Sequence, residues 1–441
     1  MAPAADPATY NGRAHGHELT PLPTFSVVKL TDERTKTLGE CLKKNHEIYA
    51  PLRDPKLWFH NHMPHLSNTD LFFFYLLSKK RHPKSTLAKT GSLSQILGSS
   101  YYLGGSSSKL LEILKAEGEH LRPQETVPPQ NPITRENWRS FLASKDHTVE
   151  YARYFDDEIA KTNGDWKKVV TEHLYSGSKP LVNGFCGGLG HPFIHLAYAY
   201  EFDSKEVASE ALSLGCTEVD FMHKYFDNPP ADTGKSTYKT KDLLEILGRV
   251  VDDKRFDGLF EHPGFMNTFA IHAKAEDVLL EHYNAFVLDD VEVQFEQIFD
   301  VAARIAVETG DAERQFDFFL IHILTTFHAL RVILPYAPVE HRGNMVKQFV
   351  MWTLLMYVAQ LRRPVQTDLV KKVDLKGRGW DYVRDQALNS RFSLDSHYVK
   401  VVRALKVGEE LYGEKDGWYL KAAIKFVDEY REWTGFGLGV E

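Results

Sequence analysis

The chain has 441 residues, 43% of them hydrophobic and 26% charged, with a formal net charge of -7. That is ample apolar material for a large core, and the wrong sign of charge for a nucleic-acid binder, which presents a basic face or stripe. The only three cysteines, Cys41, Cys186 and Cys216, lie far apart without CxxC spacing. They argue against a Cys-based zinc site or a disulfide framework, and fit a reducing, cytoplasmic setting.

Residues 1–22 are rich in Ala, Pro, Gly and His and lack a continuous apolar run, so they read as a disordered leader and not a signal peptide. Residues 23–441 read as one helical domain. Asp32 to Tyr49 is an amphipathic helix with Leu38, Leu42 and Tyr49 on its apolar face. Pro64 opens a helix that runs on through Leu71 to Leu77. Gly91 to Ser108 is Gly/Ser-rich and loop-like, and Leu121 to Pro132 carries four prolines and reads as a surface crossing. Helices are predicted over Asn137–Phe155 and Trp166–Leu174. A glycine-rich bend, Gly184 to Gly190, feeds a helix over Pro192–Phe202, and Lys205–Tyr225 follows as helix.

After a polar linker, Asn228 to Lys239, helical patterns cover Leu243–Phe260, Ala275–Leu288, Val291–Thr309, Phe316–Leu334 and Asn344–Leu361. Asp381–Leu388, Asp395–Lys406 and Trp418–Thr434 complete the chain. No run of alternating strands and no repeat of fixed period is visible, so the fold class is all-α. The longest largely apolar run, Phe349 to Leu361, falls short of the roughly 20 residues a membrane span needs, and no membrane association is expected. Gly184, Gly187, Gly188 and Gly190 do not match GxGxxG and follow no strand signal, and no GxxxxGK[ST] occurs. A dinucleotide fold or P-loop is therefore not expected.

Twenty histidines stand out, because histidine is the usual metal ligand when cysteine is scarce. Four clusters contain candidates. In Phe59-His60-Asn61-His62-Met63-Pro64-His65, His62 and His65 can share a helix face, and a solvated helix start is the equal alternative. In Gly190-His191-Pro192-Phe193-Ile194-His195, the two imidazoles are four apart and can face one point from one helix. A buried histidine there must be hydrogen-bonded or metal-bound. His322 lies mid-way along the strongly apolar segment Phe316 to His328, where Asp317 and Thr325 are available as partners. In Asp395-Ser396-His397-Tyr398-Val399-Lys400, His397 and Lys400 share a face behind a plausible N-cap, Asp395. Valines flank Lys400; burial would push it toward a neutral amine able to add carbon dioxide, whereas a snorkelling ammonium is the plainer alternative.

These four segments, in this order from about Trp58 to Leu405, resemble the questin oxidase-like family of fungal enzymes. The resemblance implies oxygenation of anthraquinone-type aromatic polyketides with molecular oxygen in secondary metabolism. Some members are Baeyer–Villiger oxidases that use NADPH. Others resemble iron dioxygenases whose Fe(II) is held by four histidines and a carboxylated lysine. Carried onto this chain, the implied ligands are His62, His191, His322, His397 and Lys400, in one buried site built from four distant motifs. His60, His65, His195 and His328 are then left for substrate contact, support or structure, with His195 the main rival ligand. Asp395 and His195 are the candidate catalytic groups beside the metal. Four imidazoles and one anionic oxygen suit a divalent borderline metal.

Three functions follow as expectations: an iron-dependent ring-cleaving dioxygenase, an NADPH-dependent Baeyer–Villiger monooxygenase on the same substrates, or a non-catalytic helical scaffold that binds no metal.

Overall fold

The structure is a computed structural model. It describes residues 19–53 (without 25, 28, 30 and 31), 93–218, 221–227, 235–310 and 316–436. Among these, regular structure is almost entirely helical, as the periodicity predicts, with one antiparallel pair of short strands, β1 (Tyr49–Arg53) and β2 (Leu121–Pro123). The helices that build the site are α1 (Glu33–Ile48), α2 (Leu93–Tyr102), α3 (Ser107–Gly118), α4 (Thr148–Lys161), α5 (Trp166–Leu174), α6 (His191–Phe202) and α7 (Lys205–Thr217). In the second half, the main ones are α8 (Leu243–Asp252), α9 (Val291–Glu308), α10 (Phe318–Ile333), α11 (Val339–Ala359), α12 (Trp380–Asn389), α13 (Ser396–Tyr412) and α14 (Trp418–Glu429).

Several helices begin where a side chain can satisfy their orphan N–H groups. Asp32 accepts from Thr35 N at 3.0 Å at the head of α1. Asp317 accepts from Phe319 N at 2.8 Å and Leu320 N at 3.1 Å at the head of α10. Asp395 does the same for α13, accepting from His397 N at 2.9 Å and Tyr398 N at 3.2 Å.

The core is arranged around a ring of four helices: α2 packs on α6, α6 on α10, α10 on α13, and α13 back on α2. Two glycines allow close approaches within this ring. Gly190, just before α6, has φ +77°, and a Cβ there would lie 2.5 Å from Thr326 Oγ1 on α10. On α2, a Cβ at Gly98 would lie 2.5 Å from the Tyr198 ring of α6. Both positions need glycine, the first for its backbone as well as for space. Every residue of α10 is buried, so this helix is the axle of the fold. Extended to Tyr336, it is the one helix among the described residues apolar and long enough to cross a membrane, and 94% of that window is covered by the rest of the fold. It is a longer apolar stretch than Phe349 to Leu361, because His322, Thr325, Thr326 and His328 interrupt the run without breaking the helix.

Several expected boundaries move. Gly91 to Ser108, read as a loop, contains α2 and the start of α3; its serines and glycine are small side chains at a helix contact. Nine of the ten residues of α2 are buried. Asn137 to Phe155 is two short 3₁₀ turns followed by α4. Of the leader expected over residues 1–22, residues 1–18 lie outside the described residues, and 19–22 are held against the fold. Leu19 and Leu22 are buried, and the Thr20 carbonyl accepts from Arg331 Nη1 at 3.0 Å. The three cysteines are all buried and form no disulfide.

Candidate metal centre

His191 stands at the first position of α6, His322 in the second turn of α10, and His397 in the first turn of α13. Each sits where the helix ring brings its element to the centre. Ring centroids are 4.8 Å apart for His322 and His397, 5.2 Å for His191 and His322, and 6.0 Å for His191 and His397. One nitrogen from each of the three lies within 4.8 Å of the other two, and all three side chains are buried. Three imidazoles gathered away from bulk solvent are costly unless each finds a partner.

His322 has the clearest orientation. Its Nδ1–H donates to the Phe318 carbonyl at 2.6 Å, four residues back on α10. That fixes the tautomer and leaves the Nε2 lone pair facing the cluster, where among the described residues it has no hydrogen-bond partner. Burial, and then the nearby Lys400 charge, push its pKa down to about 3, so the ring is neutral at ordinary pH. A neutral imidazole with one N–H anchored and the other nitrogen open is the form that ligates a metal. The donor set therefore fits a divalent borderline metal. The expected partners of the His322 ring, Asp317 and Thr325, are engaged elsewhere: the aspartate caps α10, and Thr325 Oγ1 donates to the His322 backbone carbonyl at 3.3 Å.

Lys400 follows His397 by one helical turn and is 2% exposed. Burial pushes its pKa down to about 7, against weaker opposing pulls from Asp395 and Glu117. Its Nζ donates to Gln95 Oε1 of α2 at 2.7 Å. A neutral amide oxygen is the acceptor there, and it gives the ammonium form far less support than a carboxylate would. Lys400 also lines a narrow internal gap with Ile194, Tyr198, Glu201, Thr325 and His328.

Aromatic rings wall one side of the cluster. The Phe318 ring lies 4.7 Å from His397 and 4.8 Å from His322, and Phe436 lies 5.2 Å from Phe318. Trp433 is 6.3 Å from His397.

Of the implied ligands, His191, His322 and His397 are thus together, with Lys400 close by. His62, along with His60 and His65, lies outside the described residues. The candidate catalytic groups, Asp395 and His195, are engaged in other hydrogen bonds. Asp395 Oδ1 is 3.9 Å from His397 Nδ1, beyond hydrogen-bond distance. Its oxygens are taken up by the α13 cap, by Trp433 Nε1 at 2.8 Å and by the Tyr430 hydroxyl at 3.2 Å. It positions His397 through the backbone. His195, the rival ligand, is bonded to α2 and α7: Nδ1 accepts from Gln95 Nε2 at 2.8 Å and Nε2–H donates to Glu210 Oε2 at 3.2 Å. His328 lines the gap beside Lys400 and is not one of the three gathered imidazoles.

Sequence reasoning missed Gln95, Glu210 and the buried Glu201–Arg403 ion pair. Glu201 and Glu210 carried a usable signal, since each is a carboxylate in an otherwise apolar stretch of predicted helix. Gln95 carried none, because its segment read as a loop.

Comparison with known proteins adds a second line. A family model described as questin oxidase-like matches residues 92–405. That span includes His191, His322, His397 and Lys400 and leaves out His62. A Baeyer-Villiger oxidase from Pestalotiopsis microspora is 25% identical over 407 residues, 86% of this chain and 82% of its own length. A questin oxidase from Aspergillus terreus is 25% identical over 292 residues, 62% of this chain and 64% of its own. A Baeyer-Villiger oxidase from Pestalotiopsis fici is 24% identical over 399 residues, 85% of this chain and 80% of its own.

Proposed function

Since the chain belongs to the questin oxidase-like family, and is an oxidoreductase, we propose that it is an iron(II)-dependent oxygenase that opens a ring of an anthraquinone-type substrate. The observation that carries this reading is the buried gathering of His191, His322 and His397 from three motifs up to 206 residues apart in sequence, with the open nitrogen of His322 facing inward.

In this reading His191, His322 and His397 hold the iron, His62 supplies the fourth imidazole, and Lys400 supplies the anionic oxygen as a carbamate. The carbamate forms when the neutral amine of Lys400 attacks carbon dioxide: a C–N bond forms, one C=O electron pair moves to oxygen, and one proton leaves nitrogen for water. The bound metal supplies activation of molecular oxygen. The chain's own residues do the rest. The Phe318 carbonyl keeps the proton of His322 on Nδ1, the Asp395 cap sets the first turn of α13, and the Phe318, Trp433 and Phe436 rings offer flat apolar surface that suits a polycyclic substrate.

The printed names of the relatives support a second reading, Baeyer–Villiger monooxygenation with NADPH as reductant. The two readings differ in balance. A dioxygenase places both atoms of one O₂ in product and needs no external reductant. A monooxygenase places one atom there and releases the other as water, consuming the two electrons of one NADPH. Turnover of an anthraquinone-type substrate under labelled oxygen decides between them: two labelled atoms per product support the dioxygenase, and one labelled atom with stoichiometric NADPH oxidation supports the monooxygenase.

A further inference from the structure

We infer that Gln95 positions Lys400 for carboxylation, and that Glu210, acting through His195, fixes which end of the Gln95 amide faces the lysine. This rests on the carbamate reading of Lys400 given above and adds to it the residues that hold the amine.

The argument runs inward from the surface. His46 lies between two carboxylates, with Nε2 3.0 Å from Asp156 Oδ2 and Nδ1 3.3 Å from Glu210 Oε1. Glu210 is 2% exposed and also accepts from Asn45 Nδ2 at 2.9 Å and Ser94 Oγ at 3.0 Å. Its remaining contact is His195 Nε2 at 3.2 Å. A carboxylate on that side requires a hydrogen on Nε2, which in the neutral ring leaves Nδ1 as an acceptor, the role that the NH₂ end of Gln95 complements. An acceptor at Nδ1 requires the NH₂ end of Gln95, 2.8 Å away. The other end, Oε1, is thereby turned toward Lys400 Nζ at 2.7 Å. The direction of each bond in the series is set by the charge on Glu210, so the orientation of the amide follows from chemistry on the far side of α6.

That orientation matters for the amine. One N–H of Lys400 is held by a neutral oxygen, which fixes the nitrogen and leaves its lone pair and second N–H for reaction. After carboxylation a single N–H remains on the nitrogen; it is amide-like and a better donor than an amine N–H, so its bond to Gln95 Oε1 strengthens and favours the carbamate. The reversed amide would donate an N–H to the amine lone pair and tie up the electrons that attack carbon dioxide. Gln95 and His195 are buried to at least 99% and share no ring contact with the three imidazoles, so their role is positional.

The test uses the full-length protein loaded with zinc(II), a diamagnetic stand-in for iron, and equilibrated with ¹³C-bicarbonate. Carbamate is read by ¹³C NMR and the thermal midpoint is measured on the same samples. Wild type should carry about one labelled carbamate per chain, and Lys400→Met none. Gln95→Ala should lower the label about tenfold, the effect of losing one well-made hydrogen bond. Gln95→Glu keeps the volume and should also lose the label, because its carboxylate pairs with the ammonium. Glu210→Gln should lower it about twofold, since the amide then faces either way. A Gln95 that served packing alone would lower the thermal midpoint, leave the label per folded chain unchanged, and let Gln95→Glu behave as wild type; that result overturns the inference and leaves the carbamate reading standing. Wild type without label overturns both. If Gln95→Ala does not fold, Gln95→Glu decides.

Discussion

His191 and His322 meet edge to face, their ring centroids 5.2 Å apart and their planes at 88°, because the backbone just before His191 touches α10. The contact is at Gly190, whose missing side chain lets the bend approach Thr326, one turn beyond His322. Replacing this glycine should therefore separate the imidazoles as well as strain the backbone. Gly190→Ala combines a left-handed φ of +77° with a Cβ 2.5 Å from Thr326 Oγ1. The expected cost is about 2–4 kcal/mol, the sum of backbone strain and overpacking. Denaturant unfolding reads that loss, and metal titration should show weaker binding in the folded fraction. The double substitution Gly190→Ala with Thr326→Ala should recover part of the stability; no recovery would assign the whole effect to the backbone.

Removing an imidazole should remove the metal. His322→Ala and His191→Ala should each reduce bound iron at least tenfold, whereas His328→Ala, one residue of the same helix outside the three, should keep it. Elemental analysis of the three purified variants separates them. Equal iron in all three would place the metal elsewhere.

How far the site could be read from the sequence depends on what surrounds each residue. His191, His322 and His397 were legible because each sits in a distinctive apolar or glycine-rich setting and because the ordered motifs resemble a family. α5, Trp166–Leu174, was legible to the residue, since Asp165 caps it and its apolar side chains repeat at helical spacing. α2 was not. Ser94, Ser99, Ser100 and Gly98 carry no periodic hydrophobic signal, yet all four are buried, with Ser94 bonded to Glu210 of α7 and Gly98 and Ser99 against Tyr198 of α6. Small residues that permit a close helix contact look like a loop in one dimension, and Gln95 was lost with them. Asp395 and His195 looked catalytic from their position beside ligands. In the structure Asp395 caps α13 and His195 bonds the Gln95 amide, contacts that the sequence alone could not show.

Lys400 should be needed for its nitrogen and not for its positive charge. Lys400→Met removes a buried amine that is costly to desolvate, so the fold should be equally or more stable while iron content and turnover fall. Lys400→Arg should fail to restore either, because guanidinium stays cationic and forms no stable carbamate here. Short carboxylic acids added to Lys400→Ala should restore part of the activity by filling the vacated anionic position. Normal iron and turnover in Lys400→Arg would show that the lysine is not a ligand.

The Asp156–His46–Glu210 series gives a pH signature independent of the metal. Burial alone would lower the His46 pKa, but hydrogen bonds to Asp156 and Glu210 outweigh it and raise the value from 6.5 to about 10. A group with a raised folded pKa contributes fully below its unfolded value and loses that contribution as pH rises through the folded one. Wild-type stability should thus carry a component that is complete at about pH 6.5 and gone above about pH 10. His46→Gln lacks it, so the difference between the two proteins in denaturant midpoint should shrink steadily across that window. A constant difference would mean that His46 is not held as the cation between the two carboxylates.

The central claim, that the three gathered imidazoles hold the metal on which turnover depends, is tested most directly by counting iron against activity. Protein purified without chelator is assayed on an anthraquinone-type substrate, stripped with chelator, assayed again, and reconstituted with iron(II) under anaerobic conditions. The account predicts about one iron per chain, loss of turnover on stripping, return of turnover in proportion to iron restored, and no return in His322→Ala. Full turnover by the stripped protein, with or without NADPH, would contradict it.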